Sequence, residues 1–372
     1  MRDRIPAEVF PPGEFLNDEL KERGWTQTEF AEIIGRPPRV VNEVIAGKRS
    51  ITAATARDIA TALGTSAQLW MNLETAYQLS KVPPRDENVA REAALRERFP
   101  VREMIKRGWI KATTAREELE NSVLAYFQLP DVNAPIQFPH AARRNHGEDL
   151  STVQYAWLFR IRQLASALRL PGFSQQELQA AIPQLERLMT EPEEIRHIPR
   201  ILSEAGVRLV IVEPIPGSKI QGVCFWLDHN TSPVIGLSLK GDQIDRFWFN
   251  LWHEIEHVLR GDGKDGMVID DFDEVPAPED ERERAANEAA ADRCVPTKAM
   301  KDFILRHSPM FSEKNMIGFS KIIKRHPGIV AGQIQKRTGR WDLFRKHQVR
   351  VRQLIIDDAL TDGYGRRVPP NL

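Results

Sequence analysis

Cysteine, tyrosine, net charge and long apolar runs are all scarce or missing in this 372-residue sequence. Its two cysteines, Cys224 and Cys294, are too few for a disulfide framework and suit a reducing cytoplasm. Lys+Arg and Asp+Glu stand at 52 each, which excludes a wholly basic nucleic-acid coat and a highly charged disordered chain. No stretch approaches the ~20 uninterrupted apolar residues of a membrane span. The opening run MRDRIPAEVFPPGEFLNDEL has no apolar core of the kind a signal peptide needs. There is no internal repeat and no low-complexity tract. These absences lead us to expect a soluble cytoplasmic protein with no membrane partner, long enough for two or three domains of roughly 100–200 residues each.

The balanced charge is unevenly spread. Residues 262–283 hold ten Asp/Glu against two Lys/Arg, and residues 320–372 hold twelve Lys/Arg against four Asp/Glu. Proline marks joints at Pro83-Pro84, in the run at 128–147, and at 276–280. Short helices are expected over 11–79. Polar helix continues through 88–126 with a break at Phe99-Pro100, and helix returns over 151–190 with Trp157, Phe159, Leu164 and Leu168 as core candidates. VRLVIV, GVCFWL and PVIGLSL are β-rich runs bounded by Gly, Pro and Asn. Helix resumes over 243–260, 281–294, 313–325 and 328–337. The expected fold is mainly α with one small β-sheet, an α+β chain. Its expected parts are an all-α domain at 1–82, a helical linker at 83–195, an α+β domain at 196–345 and a basic tail at 346–372.

Thr26 with Glu29 three residues later forms a capping box for a helix over Gln27 to Ile34. Gly35 stops it, and Pro37-Pro38 can occupy the first turn of the next helix, which runs to about Ala46. Val40, Val41, Val44 and Ile45 can pack inward, leaving Arg39, Asn42 and Glu43 outward. Two short helices across a Gly-containing turn are the helix-turn-helix arrangement, whose second helix reads the major groove. Arg39 and Asn42 are the base-reading types, and Lys48, Arg49 and the amide end near Gln27 suit phosphates. An ordinary helical hairpin has the same pattern. The run from PGEFLNDELKERGW through GKRSIT to ALGTSAQLWMNLETAY resembles the HigA-type antitoxin domain of Xre-like repressors over residues 12–80. That resemblance implies a homodimer on a palindromic double-stranded DNA operator, and a HigB-like toxin as a possible partner. The prolines at 37 and 38 depart from the small polar residues usual there.

Residues 253–257 read His-Glu-Ile-Glu-His. At helical spacing His253 and His257 lie one turn apart and can share a Zn²⁺, while Glu254 can act as general base toward metal-activated water. Ile244, Phe247, Leu251, Ile255 and Val258 form a separate apolar stripe on the same helix. A catalytic zinc needs a third protein ligand and an open position. Glu283, 26 residues past His257, heads an E-x-x-A-N arrangement; Glu279, Asp280, Glu281 and Glu288 compete with it on charge alone. The segments GVRLVIVEPIP, PVIGLSL, DRFWFNLWHEIEHVL, AAADRCVP and HPGIVAGQIQ together resemble the ImmA/IrrE zinc metallopeptidases, from about Ile201 to Gln335. The resemblance implies a zincin-like domain with His253, His257 and Glu283 as zinc ligands and Glu254 as catalytic base.

Four further readings accompany it. His326 is a candidate oxyanion donor, or simply the cap of the helix after Pro327. Cys224, in the strand before the metal helix, is either a thiol that regulates the zinc or a small core residue. The sheet edge near 233–239 can pair with an extended substrate. Arg340, Arg345, Lys346, Arg350 and Arg352, beside Trp341 and Phe344, can hold single-stranded nucleic acid as an activator, or form a solvated face. The expected function is a DNA-binding regulator whose zinc endopeptidase cleaves a protein substrate, by resemblance a transcriptional repressor, to release stress, phage or mobile-element genes. The alternative is a HigA-like antitoxin or repressor whose zinc domain senses or merely stabilises.

Overall fold

A computed structural model describes residues 9–82, 87–138, 150–264, 268–270 and 281–368 of the chain. Two units emerge, Met1–Val89 and Ala90–Leu372. The first is all helix: α1 (Pro12–Arg23), α2 (Gln27–Ile33), α3 (Pro38–Ile45), α4 (Ala53–Leu63) and α5 (Ala67–Lys81). Capping chemistry sets its boundaries. The Thr26 hydroxyl accepts from the Glu29 amide at 3.2 Å, and the Glu29 carboxylate accepts from the Thr26 amide at 2.7 Å. Two otherwise unpaired amides at the start of α2 are thereby satisfied. α3 opens on Pro38 at its first position, where a missing N–H costs little. Val41 and Val44 turn inward to join Leu16, Phe30, Ile59 and Trp70 in the core of this unit, while Val40 and Ile45 are half-buried.

α6 (Glu87–Arg98) begins just before the boundary, and the second unit continues with α7 (Val101–Lys106), α8 (Arg116–Phe127), α9 (Thr152–Ala167), α10 (Gln175–Leu188) and α11 (Ile198–Glu204) ahead of the sheet. Next come β1 (Arg208–Val212), β2 (Gly222–Leu227), β3 (Ser232–Leu237), α12 (Ile244–Arg260), β4 (Val268–Asp270) and α13 (Glu281–Cys294). α14 (Thr297–His307), α15 (Glu313–Ile322), α16 (Pro327–Thr338), α17 (Arg352–Ile355) and β5 (Leu360–Asp362) complete it. The chain is therefore mainly α with a small mixed sheet.

Strand order is β4-β2-β3-β1-β5. β1 runs parallel to β3 and β5, and β2 runs antiparallel to β3 and β4. Both faces are covered, which is why β1 and β2 read as continuous apolar runs with no polar alternation. Leu209, Ile211, Cys224, Trp226, Ile235 and Leu237 pack on the α12 side. Val210, Val212, Val223, Phe225 and Val234 pack on the α9 side with Trp157, Ile161 and Leu164.

Three expectations change here. Residues 83–195 are not a linker, because α9 covers one face of the sheet and Trp157 Nε1 donates to the Val212 carbonyl at 2.9 Å. Residues 346–372 are not a tail up to 368, because β5 pairs with β1 through Val210↔Leu360 and the fully buried Arg160 ion-pairs with Asp362. The strand at 233–239 is no edge: β1 and β2 occupy both of its sides, and β4 and β5 are the edges. The proline joint at 83–84, much of 128–147, and most of the acidic 262–283 run lie outside the described residues.

Candidate metal centre and nucleic-acid interface

The apolar stripe of α12 fixes the rotation of the helix. Ile244, Phe247, Leu251, Ile255 and Val258 are all buried, and full burial stabilises by about 1.5–3 kcal/mol for each large side chain. With that face committed, His253, Glu254 and His257 are buried too, turned toward β2 and α13. α13 lies close against α12 because Ala286 and Ala290, on the same face as Glu283, are small and buried. The result is a compact donor set. His253 Nε2 is 3.2 Å from Glu283 Oε2, His257 Nε2 is 3.3 Å from Glu283 Oε1, and the two Nε2 atoms are 2.9 Å apart. All three ligand atoms lie within 4.8 Å of one another, so Glu283 is the carboxylate that the fold brings to the histidines. Burial disfavours the Glu283 anion, but hydrogen bonds from His253 and His257 outweigh it and hold the carboxyl well below the usual range.

Two supporting residues escaped the sequence reading. Asp262 Oδ2 lies 3.0 Å from His257 Nδ1, so Nδ1–H can donate outward and Nε2 is the atom that would face a metal once its own proton is displaced. Asp262 is itself anchored: its carbonyl accepts from Trp226 Nε1 at 2.7 Å. The sequence signal was a Gly-Asp pair ending a helix with histidine in its last turn. Gly222 is the second. A Cβ there would come within 2.9 Å of Glu254 Cδ and 3.3 Å of Cγ, with Oε1 closer still. Glycine at the start of β2 therefore makes the space that the Glu254 carboxylate occupies.

Two expected site residues are not at the cluster. His326 caps α16: its Nδ1 accepts from the Gly328 amide at 3.1 Å, and burial, with His347 nearby, lowers its pKa. Gly328 abuts Ile244 at the start of α12, about 13 Å along the helix from His253 at 1.5 Å per residue. Cys224 is fully buried in the core and its Sγ lies 3.9 Å from the Asp262 carbonyl, outside the donor set. Strand alternation places it on the α12 face of the sheet, among buried apolar side chains. The basic residues near the end do not share a helix face either. Residues 339–351 are turns with a single 3₁₀ turn at Arg345–His347; Arg340 pairs with Asp342 at 2.8 Å and Lys346 with Glu313 at 2.8 Å.

On the first unit, Arg39, Asn42, Lys48 and Arg49 are exposed on α3 and the turn after it, and Gln27 is half-exposed at the start of α2. Glu43 lies among them. Arg39 Nε is 2.7 Å from its Oε1 and Arg49 Nη1 is 3.1 Å from its Oε2. The hydrogen bond from Arg39 holds the Glu43 carboxyl below its ordinary value.

Comparison with known proteins agrees with both halves. Residues 16–70 match the helix-turn-helix family, and residues 203–312 match the IrrE N-terminal-like domain, a peptidase family. Virulence-associated protein I of Dichelobacter nodosus is 39% identical over 79 residues, 21% of this chain and 71% of that protein. A Pseudomonas aeruginosa protein solved with its operator DNA is 34% identical, over 20% of this chain and 81% of its own, at a TM-score of 0.19. The antitoxin HigA of Pseudomonas aeruginosa, solved with the higBA promoter, is 29% identical over 21% of this chain and 98% of its own, also at 0.19. The chain is a fusion of a segment that matches the Xre-like helix-turn-helix family, in its first unit, with one that matches the IrrE/ImmA-like peptidase family, in its second. No helix among the described residues is long and apolar enough to cross a membrane.

Proposed function

We propose that this protein is a DNA-binding regulator with a zinc-dependent endopeptidase that cleaves a partner protein, a transcriptional repressor by its family resemblance. The observation that carries this reading is the buried His253–His257–Glu283 donor set with Glu254 beside it. Two imidazoles and one carboxylate at this spacing suit zinc and leave a fourth position open. When bound, zinc supplies Lewis acidity toward a carbonyl and lowers the pKa of water. His253, His257 and Glu283 would hold it, and Asp262 would keep His257 in the tautomer that offers Nε2. Glu254 takes the proton from the attacking water and returns it to the leaving amine. The fully buried position of Glu254 against Gly222 restricts its carboxylate to that place. The first unit brings the chain to a double-stranded operator through Arg39, Asn42, Lys48, Arg49 and the Gln27 end of α2, as a homodimer on a palindrome. Release of stress or mobile-element genes in the cytoplasm follows from destruction of the repressor.

The test is incubation of zinc-loaded protein with any transcriptional repressor found encoded beside it, followed by intact-mass analysis. Two fragments are expected, and none from Glu254→Gln. A second reading, an antitoxin-type repressor whose zinc domain is a sensor, is favoured by the match to helix-turn-helix proteins over residues 16–70. An adjacent HigB-like toxin bound by this chain, with no proteolysis of any partner, would decide for it.

A further inference from the structure

α12 and α16 enclose a cavity of about 360 Å³, at the small end of ligand pockets and sized for a side chain. Three links place it beside the metal cluster. Phe249 lines it and stacks near His253, ring centroids 6.3 Å apart. Asn250 lines it one turn before Glu254, and its amide donates to Gln221 Oε1 at 3.2 Å. Gln221 lines it as well and immediately precedes Gly222, the residue that adjoins the Glu254 carboxylate.

The lining carries two cations, Arg246 on α12 and Lys336 on α16, and one acid, Asp245. Arg246 and Lys336 are exposed along it, and neither forms an ion pair with an acid among the described residues. The Lys336 ammonium lies 4.3 Å from the Phe249 ring centroid, held over the cavity wall. Trp341, 55% exposed, also lines it. The single acid in the lining, Asp245, is wedged over Gly332, where a Cβ would come within 2.6 Å of its Cβ and Cγ. Burial raises the Asp245 pKa against the opposing pull of Arg246, and burial likewise lowers the Lys336 pKa.

We propose that this cavity is a specificity subsite that takes an acidic side chain, Asp or Glu, from a substrate residue next to the scissile bond. Lys336 and Arg246 pair with its carboxylate while Phe249 and Trp341 hold its aliphatic stem. The inference rests on the peptidase reading and names the substrate class for it.

The test reads binding separately from turnover. Full-length Glu254→Gln protein, loaded with zinc, is titrated calorimetrically at low salt with blocked pentapeptides, alanine throughout except for a central Glu, Gln or Lys. The Glu peptide should bind about tenfold more tightly than the Gln peptide, the scale of a charge-assisted hydrogen bond. The gap should close when Lys336→Gln and Arg246→Gln are added. Both side chains are exposed, so an unchanged melting curve will confirm that the variant folds. Equal or undetectable binding of the three peptides, a preference surviving the double substitution, or a preference for Lys would each overturn the subsite. The wild-type chain is then given a random peptide mixture. Cleavage beside acidic residues supports the subsite, and cleavage with no acidic preference overturns it. A retained preference for the Glu peptide with no cleavage of any substrate overturns the peptidase reading instead.

Discussion

Substituting Gly222 by alanine should disable Glu254 while leaving the metal ligands in place. The added Cβ would lie 2.9 Å from Glu254 Cδ and 3.3 Å from Cγ, and nearer to Oε1. Glu254 is fully buried, so the carboxylate has no solvent space into which to retreat, and it must shift by about 1 Å or more. A misplacement of that size costs on the order of 10²-fold in rate, at the low end of what removing a general base costs. kcat should therefore fall about 10²-fold with KM little changed. Overpacking should cost about 1–3 kcal/mol of stability. Zinc content should stay at its wild-type level, because the three atoms nearest the new methyl group all belong to Glu254 and none to His253, His257 or Glu283. The assay is repressor cleavage followed by mass spectrometry, with metal content read by atomic emission. Near-wild-type turnover in Gly222→Ala with full zinc would refute the placement of Glu254 and its role as base.

Three other outcomes are expected. Purified protein should carry about one zinc, lost in His253→Ala, His257→Ala and Glu283→Ala but retained in Glu254→Gln; Asp262→Asn should weaken zinc about 10–100-fold in a chelator competition. Glu43→Gln should free Arg39 and Arg49 for phosphates, tighten binding to all duplexes and steepen the log–log salt slope by about 1–2, whereas Arg39→Ala or Asn42→Ala should reduce operator discrimination by ~1–3 kcal/mol. Arg160→Ala should cost about 3–5 kcal/mol in a denaturant melt, because it leaves Asp362 buried without its cation; a loss under 1 kcal/mol would show that β5 does not depend on that pair.

What could be read from the sequence was what neighbours in sequence determine. The Thr26–Glu29 capping box, the apolar stripe of α12 and the unbroken apolar runs of β1 and β2 are short-range patterns, and each matches the structure. Of the candidate metal donors, His253 and His257 were legible because they lie one helical turn apart, whereas Glu283 was separated from its neighbouring carboxylates only by the resemblance to the ImmA/IrrE peptidases. Long-range pairings were not legible. β5 is three residues long, sits in a basic stretch and is held by Arg160, 202 residues away. β3 looks like an edge until the parallel partner β1 is known. His326 precedes a helix at the far end of α12 from the donors, and no spacing rule reports that distance. Gly222 carries no pattern at all; only the close approach of Glu254 explains it. α14 was missed because its run between Pro296 and Ser308 follows directly on α13 with no glycine between them.

The most direct measurement is the mass of a candidate repressor, taken from the neighbouring genes, after incubation with zinc-loaded chain, compared with Glu254→Gln at equal zinc content. The expected result is two fragments whose masses add up to that of the repressor plus one water, formed by the wild type and absent with Glu254→Gln. An intact repressor, or the same fragments from both proteins, would contradict the assignment of a zinc peptidase to the His253–Glu254–His257–Glu283 site.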